Sequence, residues 1–86
     1  MEILVYKTQI CPYCVRAKKL LDSKGVQYTE IDVSNDSDLR QAMTQKSGGR
    51  TSVPQIFINQ QHIGGCDDLY ALEKAGELDK LLGLNL

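Results

Sequence analysis

The chain has 86 residues, of which 42% are hydrophobic and 24% charged. That is one small domain, spanning 1–86, with enough apolar side chain to offset the entropy of ordering, so disorder is excluded. Ten Lys and Arg stand against eleven Asp and Glu, a net charge of −1 that excludes a strongly basic nucleic-acid binder. No apolar run approaches the roughly 20 residues of a membrane-crossing helix. Met1-Glu2-Ile3-Leu4-Val5-Tyr6 carries an acid where a signal peptide wants a base, so the expected location is the cytoplasm; a monomer is the default expectation, which no feature of the sequence tests.

In chain order, Ile3-Leu4-Val5-Tyr6 is short, apolar and β-branched, and reads as a buried strand. Pro12 suits the first turn of a helix, along which Cys14, Ala17, Leu20 and Leu21 form an apolar stripe. Arg16, Lys18 and Lys19 lie off that stripe on a solvated face, and Gly25 stops the helix. Val26 to Val33 alternates loosely and reads as a second strand, which makes a βαβ unit with a parallel pair. Asn35-Asp36-Ser37-Asp38 is a capping cluster for a second helix with Leu39, Ala42 and Met43 on its apolar face. That helix ends at Ser47-Gly48-Gly49.

Pro54 precedes the strand Gln55-Ile56-Phe57-Ile58, and Asn59-Gln60 turns the chain into Gln61-His62-Ile63, a hairpin partner. His62 is expected at an exposed edge. After Gly64-Gly65, the acids Asp67 and Asp68 open a third helix with Leu69, Leu72 and Ala75 on its face. Leu78, Leu81 and Leu82 suggest a last short helix. The fold expected is α/β, a four-stranded mixed sheet in the order β-α-β-α-β-β-α, flanked by helices.

Three cysteines are too few, and odd in number, for a disulfide scaffold. Cys11-Pro12-Tyr13-Cys14 beside a βαβ pattern reads instead as a redox pair. Cys11 falls where the first strand meets the first helix, so the helix amides and dipole lower its thiol pKa. From Lys7 to Lys24 five bases face one acid, Asp22, and Lys7 is the base nearest the cysteine loop. Cys14, three residues on, shares the helix face but lies further in, placed to attack a mixed disulfide on Cys11. Cys66 reads either as an unreactive, partly buried thiol or as a regulatory one. The competing metal reading takes Cys11, Cys14, His62 and Cys66 as a zinc set. A proline inside the clamp and the 47 residues between Cys14 and His62 weigh against it.

Cys11-Pro12-Tyr13-Cys14, then Thr51-Ser52-Val53-Pro54, then Gly64-Gly65-Cys66-Asp67-Asp68 together resemble the glutaredoxins, closest to the short bacterial dithiol type. The resemblance covers nearly the whole chain and implies a thioredoxin-like fold. It implies a glutathione-dependent thiol–disulfide oxidoreductase with Cys11 as nucleophile and Cys14 as resolving thiol. Pro54 would be a cis-proline presenting the Val53 backbone to the cysteinyl part of glutathione. Asp67, Asp68 and the amides of the third helix would hold the γ-glutamyl end, and Cys66 would contribute there through its backbone. Lys7 would face the glycyl carboxylate or the thiolate, with Tyr13 and Thr51 lining the groove. Ser52 replaces the threonine of many relatives. The loop Ser47-Gly48-Gly49-Arg50-Thr51 runs one residue longer than in some, leaving Arg50 and Thr51 as alternatives for the ligand contact.

No tightly bound cofactor is expected; glutathione is the reducing co-substrate. Partners implied are disulfide-bearing clients such as ribonucleotide reductase, and glutathione reductase acting through glutathione. Nucleic acid, membrane and metal are not expected. Two rivals stay open: a redoxin recharged by thioredoxin reductase, and an iron–sulfur carrier holding a cluster between two chains through Cys11 and glutathione.

Overall fold

The computed structural model describes residues 1–84; the single domain read over 1–86 includes two positions, Asn85 and Leu86, outside the described residues. Its elements are β1 (Ile3–Lys7), α1 (Pro12–Ser23), β2 (Thr29–Asp32), α2 (Ser37–Lys46), β3 (Gln55–Ile58), β4 (Gln61–Gly64), α3 (Cys66–Lys74) and α4 (Leu78–Leu81). The strands form one mixed sheet in the order β2-β1-β3-β4, with β1 and β2 parallel and the other neighbours antiparallel. The four-stranded expectation holds, and the last helix stands as α4.

Strand alternation distributes β1 between two cores. Ile3 and Val5 join Ala17, Leu20, Leu21, Ile56, Ile58, Leu69 and Leu78 in the larger one, under α1, α3 and α4. Tyr6 points the other way and packs with Val33, Met43 and Phe57 beside α2. All four residues of β3 are buried, because this inner strand is covered on both faces. Within α2 only Met43 is buried and Leu39 is 38% exposed, so its apolar face is narrower than the pattern suggested. Ala75 is the exposed C-cap of α3 rather than part of its apolar face.

The second strand is shorter than the alternation from Val26 to Val33 implied. Its ladder starts at Thr29, opposite Leu4, near the point where β1 itself begins. Val26 and Tyr28 lie ahead of the ladder and pack against the larger core as side chains only. At the hairpin, Asn59 and Gln60 both take left-handed backbone, φ 49° and 69°, as a tight two-residue turn demands. Asn59 also anchors the turn to the start of the chain. Its N–H donates to Glu2 O at 2.7 Å, and its Oδ1 accepts from Glu2 N at 2.9 Å.

Candidate active site

The end of β1, the start of β3 and the end of β4 lie at one edge of the sheet, where Tyr6 pairs with Gln55 and Ile56 with Gly64. The loops that leave this edge bring together the three motifs. Cys11 is the N-cap of α1 in extended backbone, and its Sγ accepts from the Cys14 N–H at 3.1 Å. Pro12 sits at the helix start, where its missing donor is no loss. Cys11 and Cys14 are joined by a disulfide with Cα atoms 5.2 Å apart. Cys14 is 2% exposed and packed inward, whereas Cys11 stays partly open to solvent. One sulfur is thus reachable and its partner is not.

Beside Cys11 runs a groove of about 180 Å³. Tyr13 of α1 supplies one wall; Arg50, Ser52, Val53 and Pro54 supply a second; Gly65, Cys66, Asp67 and Asp68 at the start of α3 supply the third. The Val53–Pro54 peptide bond is cis, and Val53 O lies 3.9 Å from Cys11 Sγ. Asp67 is exposed. Asp68, in the first turn of α3, instead reaches back to the helix start, accepting from Gly65 N–H at 2.8 Å and from Arg50 Nη1 at 2.9 Å. The Gly65 amide first, and the Arg50 guanidinium second, hold its carboxyl below the usual carboxylate range.

A lowered carboxyl pKa stabilises the fold above the unfolded-state value of about 4, and that contribution is lost as pH falls through the folded one. Asp68→Asn is therefore expected to flatten the acid limb of thermal stability below about pH 4. Unfolding temperatures measured from neutral to acid pH check this; parallel curves for the two proteins would remove Asp68 from that limb.

Of the site residues read from the sequence, Tyr13, Val53, Pro54, Cys66, Asp67 and Asp68 line the groove and Cys11 adjoins it, while Lys7 and Thr51 are not among its lining. Lys7 is drawn to Glu30 of β2 at 3.4 Å, and Thr51 offers its carbonyl to Arg40 at 3.0 Å. Between the alternatives Arg50 and Thr51, Arg50 reaches the groove. The positive cluster around Cys11 is also weaker than the sequence count suggested. Lys7 and Lys18 share Glu30, whose carboxyl Lys18 chiefly holds down, and Lys24 pairs with Glu73 and Asp79 at 2.7 Å each.

Arg16 is not simply solvated: its guanidinium lies 5.9 Å from the Tyr13 ring centre and 5.4 Å from that of Tyr70. Cys66 is buried, which raises its thiol pKa. Among the described residues no group of three or more His, Cys, Asp or Glu is placed to hold a metal ion, so Cys11, Cys14, His62 and Cys66 do not converge on a cage. Also among the described residues, no helix is long and apolar enough to cross a membrane.

A reachable cysteine at a helix N-terminus, a buried partner one turn in, and a groove beside them define a thiol–disulfide oxidoreductase site. The sheet and its helices are those of the thioredoxin-like fold. Residues 3–63 match the family model of glutaredoxin. The chain is 56% identical over 81 residues to Glutaredoxin 3 of Escherichia coli strain K12, covering 94% of this chain and 96% of that one. The solution structure of Glutaredoxin from Brucella melitensis superposes with a TM-score of 0.85 at 50% identity, covering 100% of this chain and 94% of that one. A buckwheat glutaredoxin–glutathione complex gives a TM-score of 0.86 at 36% identity, covering 94% of this chain and 76% of that one. The chain belongs to the glutaredoxin family, and it is a thiol–disulfide oxidoreductase.

Proposed function

We propose that this enzyme draws its electrons from glutathione and reduces protein disulfides and protein–glutathione mixed disulfides in the cytoplasm, acting as a monomer. The observation that carries this reading is the groove beside Cys11, which Val53, the exposed Asp67 and the first residues of α3 line within one small concavity. Glutathione offers a peptide backbone, an ammonium and two carboxylates. Val53 would pair with its cysteinyl peptide, Asp67 with its ammonium, and the α3 amides with the γ-glutamyl carboxylate. Arg50 is better placed than Lys7 or Thr51 to meet the remaining carboxylate, and Asp68 steadies it. Tyr13 would flank the ligand. The glutathione-bound buckwheat relative supports this reading.

In the monothiol cycle the Cys11 thiolate attacks the glutathionyl sulfur of a mixed disulfide, and the client leaves as thiolate and takes a proton. A second glutathione thiolate attacks the same sulfur, releasing oxidised glutathione and Cys11 thiolate. In the dithiol cycle Cys11 attacks a client disulfide. Cys14 then attacks Cys11 Sγ, releasing the reduced client and leaving the Cys11–Cys14 disulfide, which two glutathiones reduce. Disulfide-bearing clients of the ribonucleotide reductase kind would use the second cycle.

The deciding assay reduces a small glutathione mixed disulfide with glutathione and glutathione reductase as the recycling system, in parallel with thioredoxin reductase as sole reductant. Turnover only in the first arm is expected. Turnover only in the second would replace this reading with that of a redoxin. A coloured dimer from anaerobic purification, inactive in both arms, would replace it with a cluster carrier.

A further inference from the structure

Gln55 is a fully buried amide at the head of β3, where the neighbouring positions are Ile, Phe and Ile. A buried amide without partners is strongly unfavourable, so its bonds account for its presence. Its Nε2 donates to Ser52 O at 3.0 Å and lies 3.4 Å from Ser52 Oγ. A carbonyl can only accept, which fixes the amide's orientation and leaves Oε1 facing His62. His62 Nε2 stands 2.7 Å from that oxygen and must therefore carry the proton. The His62 ring is half-buried and rests against Phe57, with ring centres 5.0 Å apart. It is not the exposed edge residue its place in the hairpin suggested, because strand alternation turns it onto the α2 side of the sheet beside Phe57.

The polar chain thus runs from β4, through β3, to the residue that precedes Val53 and Pro54 in the groove wall. We propose that His62 and Gln55 are positioning residues for the substrate, holding Ser52 so that the Val53 backbone is set at the right depth beside Cys11. His62 touches neither the groove nor the cysteines; it acts through Gln55. This rests on the glutathione reading of the groove. Apolar side chains at 55 and 62 would lack the directional tie to Ser52.

The test compares wild type, His62→Phe, which keeps the ring against Phe57 but removes the donor, and His62→Gln, which restores a side-chain N–H. KM and kcat are measured with a glutathionylated peptide, alongside the rate of Cys11 alkylation by iodoacetamide and the ¹H–¹⁵N spectrum. For His62→Phe the expected result is a KM raised by up to about tenfold, the most that one lost hydrogen bond can pass on to the substrate, with kcat and alkylation nearly unchanged and a displaced Val53 amide signal. His62→Gln is expected to recover most of the KM.

In wild type the His62 ring nitrogens should report the Nε2–H tautomer. An Nδ1–H tautomer, an unmoved Val53 amide, or equal KM values in all three proteins would overturn the proposal. Absence of turnover in wild type would instead overturn the glutathione reading. The tautomer and the Val53 amide would then still decide whether the tie exists, as they would if His62→Phe were too unstable to assay.

Discussion

Cys11→Ser is expected to abolish turnover, by about 10³-fold or more, because every step of both cycles passes through that sulfur. A serine hydroxyl fits the same N-cap and can accept the same Cys14 N–H, so the fold should survive the change. What disappears is the only sulfur of the pair that solvent reaches: Cys11 is partly exposed and Cys14 is 2% exposed. The helix N-terminus favours a thiolate at Cys11, and no comparable setting makes an alkoxide of serine at neutral pH.

Cys14→Ser should behave differently. It keeps the monothiol cycle on glutathione mixed disulfides and loses the reduction of intramolecular protein disulfides, which needs a second thiol to release the client. Parallel assays on a glutathionylated peptide and on a disulfide-bonded protein separate the two. Equal activity of Cys11→Ser and wild type on the peptide would end the assignment of Cys11 as nucleophile. Equal loss in Cys14→Ser on both substrates would give Cys14 a part in the first step that its burial argues against.

The fold was legible wherever a local pattern and its tertiary surroundings agree. Cys14, Ala17, Leu20 and Leu21 form one stripe at helical spacing, and all four are buried. Pro12 at the helix start, Gly25 after its end and Asn59-Gln60 in the hairpin turn follow from backbone chemistry alone. The misread places depend on what lies across the chain. Whether Val26 to Tyr28 belong to a strand is settled by where β1 starts, not by their own alternation.

Lys7 and Lys18 count as free charge along the sequence but meet Glu30 once β2 lies beside β1. Arg50 entered the groove because Asp68, 18 residues later, sits opposite it. A basic residue ahead of Thr51-Ser52-Val53-Pro54, with an acid pair opening the next helix, was the available signal for that contact. His62 could not be placed without Gln55, seven residues earlier, whose burial nothing in its own neighbourhood announces.

The second large effect is expected at Gly64, and it ties the stability of the fold to the shape of the groove. Gly64 has φ +119°, a region nearly closed to L side chains, and a Cβ there would collide with the Asp68 carboxylate and Arg50 Nη1. Arg50 ends a long, half-exposed side chain that can swing aside, whereas Asp68 moves only by giving up the Gly65 amide. Asp68 is fixed by the Gly65 amide it caps and by Arg50, so a methyl group must break that cap, swing the guanidinium away, or force the backbone out of its present turn.

Gly64→Ala should therefore cost about 2–4 kcal/mol, from backbone strain plus a lost cap. At this chain length that lowers the unfolding temperature by on the order of 10–30 °C. Gly65→Ala is the control. Its backbone, φ −92° and ψ −164°, is open to any residue, and its Cβ would come no nearer than 3.4 Å to Pro54 O. A small loss, under about 1 kcal/mol, is expected there. Thermal unfolding of the three proteins, with KM for the glutathionylated peptide, makes the comparison. If Gly64→Ala were as stable as Gly65→Ala with an unchanged KM, the close fit of β4, Asp68 and Arg50 would not be what shapes the groove wall.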